Sequence, residues 1–213
     1  MPASFRPLRS GLLRLFAFAL GMGCLCLAAI HPFTLNQMPY SADGLLQLLR
    51  GAALEHSLRV DDPLWPRFSS GLVYGYGAPL FSFFPPLAYF PVSLAPAFGL
   101  SFLNAWLLTM CLYTWLAGTG MYLLARLWTR SELGAWIGAA AYVYSPYWLF
   151  DSVTRGATAE MAALAALPFV FFCLTRLAFA GRRLDFLLAL AALSLFLPLH
   201  TVISLHGAAL LAL

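Results

Sequence analysis

Five apolar stretches constrain what this 213-residue chain can become: residues 15–30, 102–125, 133–149, 159–180 and 184–198. Each approaches the roughly 20 residues that a helix needs to cross the hydrocarbon of a bilayer. A backbone in that medium must satisfy its own hydrogen bonds, so successive helices are the solution open to it. Composition agrees, at 62% hydrophobic and 9% charged residues with a mean hydropathy of +0.83, far from the balance of a soluble domain. The expected fold is all-α, a polytopic transmembrane helical bundle forming a single membrane domain over residues 1–213.

Topology follows from arginine, because all 12 basic residues are arginines. Arg6, Arg9 and Arg14 precede the first stretch, and positive residues collect on the cytoplasmic side of short loops. No small-x-small cleavage site leads into a soluble mature region, so residues 1–30 read as a cytoplasmic tail and an uncleaved first span rather than a signal peptide. Residues 78–99 are ambiguous, being long enough to cross but holding Pro79, Pro85, Pro86, Pro91 and Pro96. If they do not cross, eight arginines lie inside and four outside; if they cross, the count reverses. The non-spanning version is preferred, with residues 31–100 as one long external loop and further spans over 101–213. It places Asp43, Glu55, Asp61, Asp62, Asp151 and Glu160 outside, so two charged loops distant in sequence share one face.

Within the first loop, residues 43–60 carry apolar side chains at Leu45, Leu46, Leu48, Leu49, Ala52, Ala53 and Leu54, the pattern of an amphipathic helix lying on the membrane surface. Asp43 stands at its start, where Ser41 or Asp43 can also serve as an N-cap. Further on, Trp65, Arg67, Tyr74 and Tyr76 offer aromatic rings and a cation for a substrate, or rings for the interfacial belt. The second loop carries Asp151 and Arg155 at i, i+4 spacing, which suits an ion pair. Glu160 opens the fourth apolar stretch, where a carboxylate meets a helix N-terminus favourably; ionisable groups at such a place are also functional candidates. Cys24, Cys26, Cys111 and Cys173 all lie in apolar runs and read as small hydrophobes. Nucleic-acid binding is not indicated.

The run of Asp43-Gly44, Arg50, WPR at residues 65–67, GYGAPLFSFFPPLAYF at 75–90, AYVYSPYWLFD and RGATAE resembles the bacterial membrane proteins labelled "6-pyruvoyl-tetrahydropterin synthase-related", over residues 43–199. That resemblance implies membership of the group, not pterin chemistry. A pterin synthase is a soluble enzyme with a histidine-bound zinc, whereas His31, His56, His200 and His206 include no close pair of that kind. The arrangement is also similar to the GT-C glycosyltransferases of the cell envelope, polytopic enzymes that use lipid-linked sugars. The likeness implies a GT-C-like bundle in the inner, cytoplasmic membrane and a first-loop catalytic carboxylate at Asp43. It also implies a second-loop acid at Glu160, with Asp151 as the spare. Gln47 stands where the group often has a histidine.

Transfer from a polyprenyl-phosphate sugar needs a carboxylate to accept the acceptor's proton, directly or through a divalent metal, and a cation for the departing phosphate. The candidate catalytic residues are Asp43, Glu160 and Asp151. Arg155, Arg67, Arg50, Trp65, Tyr74 and Tyr76 are expected to bind substrate, and Asp43 and His200 are the positions open to a metal ion. A groove beside residues 74–89 is expected to take the lipid tail. A transporter or flippase is the competing class, but the spans between residues 102 and 180 carry almost no polar residue at mid-membrane depth and show no inverted repeat. A non-catalytic membrane subunit would leave the paired acidic loops unexplained. The chain closes inside an apolar run, as expected of the N-terminal part of a longer protein.

Overall fold

Leucine, alanine and phenylalanine dominate the apolar stretches, and the helices break where serine, proline or glycine interrupts them. The computed structural model describes residues 6–35 and 37–211, with side chains over 11–35 and 37–209, so the side chains of Arg6 and Arg9 and the chain's last two residues lie outside the described set. Helix α1 runs Arg6–Ile30 and α2 Gly44–Val60. The proline-rich segment contributes α3 (Leu80–Phe83) and α4 (Phe90–Leu94) with tight turns at Pro86–Tyr89 and Ala95–Phe98. Then come α5 (Phe102–Thr129), α6 (Glu132–Val143), α7 (Pro146–Leu149), a wide turn Phe150–Arg155, α8 (Thr158–Ala180), α9 (Arg183–Phe196) and α10 (Thr201–Leu211). No strand forms among the described residues; one isolated bridge joins Ser69 and Ala78.

Three helical segments, Gly11–Phe33, Phe102–Thr129 and Thr158–Ala180, are long and apolar enough to cross a membrane. The expected continuous span at 133–149 does not form. Pro146 has no N–H and disfavours helical backbone at the residue before it, so Ser145 turns extended (φ −62°, ψ 143°) and its hydroxyl accepts from Trp148 N at 3.4 Å. Two pieces, α6 and α7, result.

Helix α5 is the axis of the molecule, with α1, α6 and α8 packed around it. Small residues let the helices close in: a Cβ on Gly120 would lie 2.8 Å from ring carbons of Phe169 on α8. Polar side chains in these helices bond inward. The buried Trp106 indole donates to Thr158 Oγ1 (2.7 Å), Tyr113 to the carbonyl of Ala88 (2.7 Å) and Tyr142 to that of Leu164 (2.8 Å). All four cysteines are free.

The proline-rich segment holds no helix of membrane-crossing length, its longest apolar helical run being Pro86–Phe98. Rather than lying free, it packs Phe81, Ala88, Tyr89, Val92 and Ala95 into the main core against α2, α5 and α8. Helix α2 forms where its pattern predicts, but its leucine face is not the packed one. Gly44, Gln47, Gly51, Leu54 and Ser57 face inward, while Leu45, Leu46 and Leu49 point away from the protein. Gly51 decides this, since α4 comes so close that a Cβ there would meet Val92 at 2.5 Å.

Candidate functional site

The two acidic loops meet through their backbones. Ala42 N donates to Thr154 O (2.9 Å) and Asp43 N to Arg155 O (2.8 Å), clasping the start of α2 to the wide turn before α8. Two glycines permit the approach. Gly156 sits at φ +70°, where L side chains are strained, and a Cβ there would fall 3.1 Å from Gly44 Cα. Asp43 is thereby placed over the N-terminal end of α8, beside Glu160.

A cleft of about 180 Å³ opens at this junction, lined by Asp43, Leu46, Gln47, Arg50, Phe84, Tyr89, Arg155, Ala157, Ala159, Glu160 and His200. Five residues singled out from sequence, Asp43, Arg50, Arg155, Glu160 and His200, therefore share one wall-to-wall space. Asp151 lies directly behind it, bonded to Arg155. The half-buried Asp43 carboxylate makes no capping bond to α2. Nor does it form an ion pair among the described residues, so the N-cap reading does not hold and the group stays free to act in the cleft. The Ser41 hydroxyl, the alternative cap, is buried without a partner.

Glu160 and Asp151 are committed otherwise. Arg155 Nη1 donates to Asp151 Oδ1 (2.6 Å) and to Glu160 Oε2 (2.9 Å), and the Tyr147 hydroxyl donates to Glu160 Oε1. One half-exposed guanidinium thus serves two buried carboxylates. Asp151 is wholly buried with Oδ2 unpartnered, and burial, reinforced by the charge of Glu160, pushes its carboxyl up to about 7 despite Arg155.

Of the two arginines lining this cleft, Arg50 is the one without an ion pair to a carboxylate. Its guanidinium lies 3.7 Å from the centroid of the Phe84 ring, and Nη1 reaches the Tyr89 hydroxyl (3.2 Å) and Gln47 Oε1 (3.4 Å). Tyr89 in turn donates to Gln47 Oε1 at 2.7 Å, and Arg50 Nε is buried without a partner. No acidic side chain among the described residues lies within ion-pair distance of Arg50, so its direct contacts are with neutral groups. His200 accepts from Ile203 N at Nδ1 (3.2 Å), which leaves Nε2 to carry the hydrogen, and burial holds the ring's pKa below its ordinary value.

The donor set does not make a divalent-metal site. Both Glu160 oxygens are engaged by Arg155 and Tyr147, and among the described residues no three His, Cys, Asp or Glu side chains converge as ligands. Asp43 and His200 are what remains.

The other expected binders lie elsewhere. Trp65 and Arg67 line a neighbouring cleft of about 280 Å³ with Phe81, Ser82, Pro85, Pro86 and Pro198. Tyr74 and Tyr76 are exposed at a loop tip, away from these clefts, whereas the later part of the 74–89 segment, from Phe81 to Tyr89, lines them. Asp61 and Asp62 hold the loop itself, accepting from Ser70 N and from Leu64 N and Trp65 N. An apolar groove of about 470 Å³ runs between α5, α8 and α9, with Leu87 of the proline-rich segment in its wall. It is bounded at one end by Ala162 and Leu199, two residues from Glu160 and one from His200, and at the other by Cys173 and Leu188. Sequence reasoning passed over Tyr89 and Tyr147. A lone tyrosine in an aromatic-rich chain carries no signal until its hydroxyl is seen to meet a charged partner.

Comparison of the chain with protein-family models, with curated proteins and with solved structures finds no match.

Proposed function

We propose that this protein is a GT-C-like glycosyltransferase of the cytoplasmic membrane, moving a sugar from a polyprenyl-phosphate donor at the outer face, with its N-terminus inside. The observation that carries this reading is the cleft in which Asp43, unpaired, faces Arg50, a guanidinium with no carboxylate of its own. In the reaction the bond between the sugar's anomeric carbon and the phosphate oxygen breaks, and its electron pair stays on the phosphate. A bond forms from the acceptor oxygen to that carbon, and the acceptor's proton passes to Asp43. Arg50 stabilises the negative charge gathering on the phosphate, aided by the Nε2–H of His200. Arg155 holds Asp151 and Glu160 together and with them the clasp that positions Asp43, a supporting role rather than phosphate binding.

The apolar groove supplies the place for an isoprenoid tail. It follows α8 from Ala162 to Cys173, about 16 Å at 1.5 Å per residue, beginning beside the polar cleft. The arginine distribution supports the orientation. The leucines turned outward on α2 suit a helix resting in the membrane interface.

The test is transfer or hydrolysis of labelled hexose from a panel of polyprenyl-phosphate hexoses by the protein in liposomes. Asp43→Asn, which keeps the shape of the side chain, should slow turnover about 100- to 10,000-fold, the usual contribution of a general base. Turnover by the variant near that of the unaltered protein would remove Asp43 from the chemistry.

A further inference from the structure

The neighbouring cleft shares its walls with the polar one. Phe84 lines the polar cleft, and Pro85 and Pro86 line the second; His200 lines the polar cleft, and Pro198 lines the second. The two spaces are therefore separated by one short strip of chain on each side. At about 280 Å³ the second is close to the lower bound of small-molecule sites, roughly 300 Å³.

Its lining is built. Trp65 precedes the buried Pro66, which holds the backbone extended, so Trp65 and Arg67 leave the chain into the same cleft. The Trp65 backbone is tied down by Asp62 Oδ1 accepting its N–H (3.1 Å). Its ring stacks on Phe90 with centroids 6.2 Å apart, and Trp65 as a whole remains 39% exposed. The Arg67 carbonyl accepts from Phe81 N (3.1 Å), which fixes the arginine's backbone while its guanidinium has no carboxylate partner among the described residues. The Ser82 hydroxyl completes a set of one aromatic platform, one unneutralised cation and one neutral polar group, between rigid proline walls.

We infer that this second cleft binds the acceptor, and that the acceptor is an anionic saccharide whose ring stacks on Trp65 and whose carboxylate or phosphate pairs with Arg67. The assignment rests on the transferase reading of the adjacent cleft. An apolar aromatic face takes the C–H face of a sugar ring, and a guanidinium takes an anion through paired N–H donors. A neutral sugar would leave Arg67 without its partner.

The test is calorimetric titration of the protein in nanodiscs with three probes: cellobiose, cellobiouronic acid and cellobiose 6′-phosphate. Both anionic probes should bind, and cellobiose about tenfold more weakly, the low end expected for a charge-assisted pair at an exposed arginine. Arg67→Gln should abolish that difference. Trp65→Ala should weaken all three probes and Trp65→Phe should restore them, while Arg182→Gln, which removes an equal charge elsewhere, should change nothing. The tighter of the two anionic probes identifies carboxylate or phosphate as the acceptor's group. Equal affinities for the three probes, no binding, or a charge preference that survives Arg67→Gln would overturn the assignment. Because titration requires no turnover, its failure leaves the Asp43 transfer assay standing, and failure of that assay leaves the titration standing.

Discussion

Alanine in place of Gly156 should cost far more than alanine in place of Gly181, although both glycines sit in left-handed backbone, at φ +70° and +61°. A side chain in that region costs roughly 1–2 kcal/mol, and the loss of glycine's freedom in the unfolded chain is common to both substitutions. At Gly181 a Cβ would meet nothing within 4 Å. At Gly156 it would lie 3.1 Å from Gly44 Cα and 3.2 Å from Gly44 N, backbone atoms at the start of α2 that cannot swing aside as a side-chain tip can. Relief requires the two loops to part, which breaks the bonds from Ala42 N and Asp43 N, each contributing about 0.5–1.5 kcal/mol. Gly156→Ala should therefore be less stable than Gly181→Ala by about 1–3 kcal/mol. At roughly 2–4 °C per kcal/mol for a chain of this size, the difference in unfolding midpoint is roughly 2–12 °C in a thermal melt. Equal midpoints for the two variants would refute the clasp as the joint between the acidic loops.

Three further outcomes are expected. Asp151 has a carboxyl pKa raised to about 7, so the folded state holds its proton more tightly than the unfolded state and stability falls as pH rises from about 4 to about 7. Asp151→Asn, still able to accept from Arg155, should lack that slope, and melts of both proteins across the interval would expose a slope that persists in the variant. Cysteines placed at the exposed positions Ala42 and Thr154, in a protein without its four native cysteines, should both react with a membrane-impermeant thiol reagent in intact cells. Reaction of only one of them before the cells are opened would place the loops on opposite sides of the membrane and dissolve the shared cleft. Arg50→Gln should slow donor turnover more than Arg67→Gln does in the liposome assay, because Arg50 lines the cleft with Asp43; the reverse order would return the phosphate to Arg67.

Much of the helical layout was legible in the chain. Long apolar runs marked the places of α1, α5 and α8, while the caps by the Ser101 and Ser131 hydroxyls at the starts of α5 and α6 went unread. These are local effects, decided within a turn of helix. The break at Ser145–Pro146 was equally local, but the apolar run around it masked the signal. The candidate cleft was half legible: charge density in two loops marked Asp43, Arg155, Glu160 and Arg50 as unusual for membrane-grade sequence. What they touch was not legible, because Asp43 N and Arg155 O are 112 residues apart and meet only where Gly44 and Gly156 leave room. That contact leaves the Asp43 carboxylate free. Which arginine keeps an uncompensated charge depends on carboxylates from other parts of the chain: Asp151 and Glu160 claim Arg155, and none reaches Arg50. The same holds for α2, whose leucines define a face in sequence but were turned outward by the fit of Gly51 against Val92. The sequence by itself determined which segments are helical and where charge gathers, since hydropathy and backbone preference act on near neighbours. Only the tertiary structure decided which charges face one another and which remain unpaired, since those energies depend on distance and burial between residues far apart in the chain.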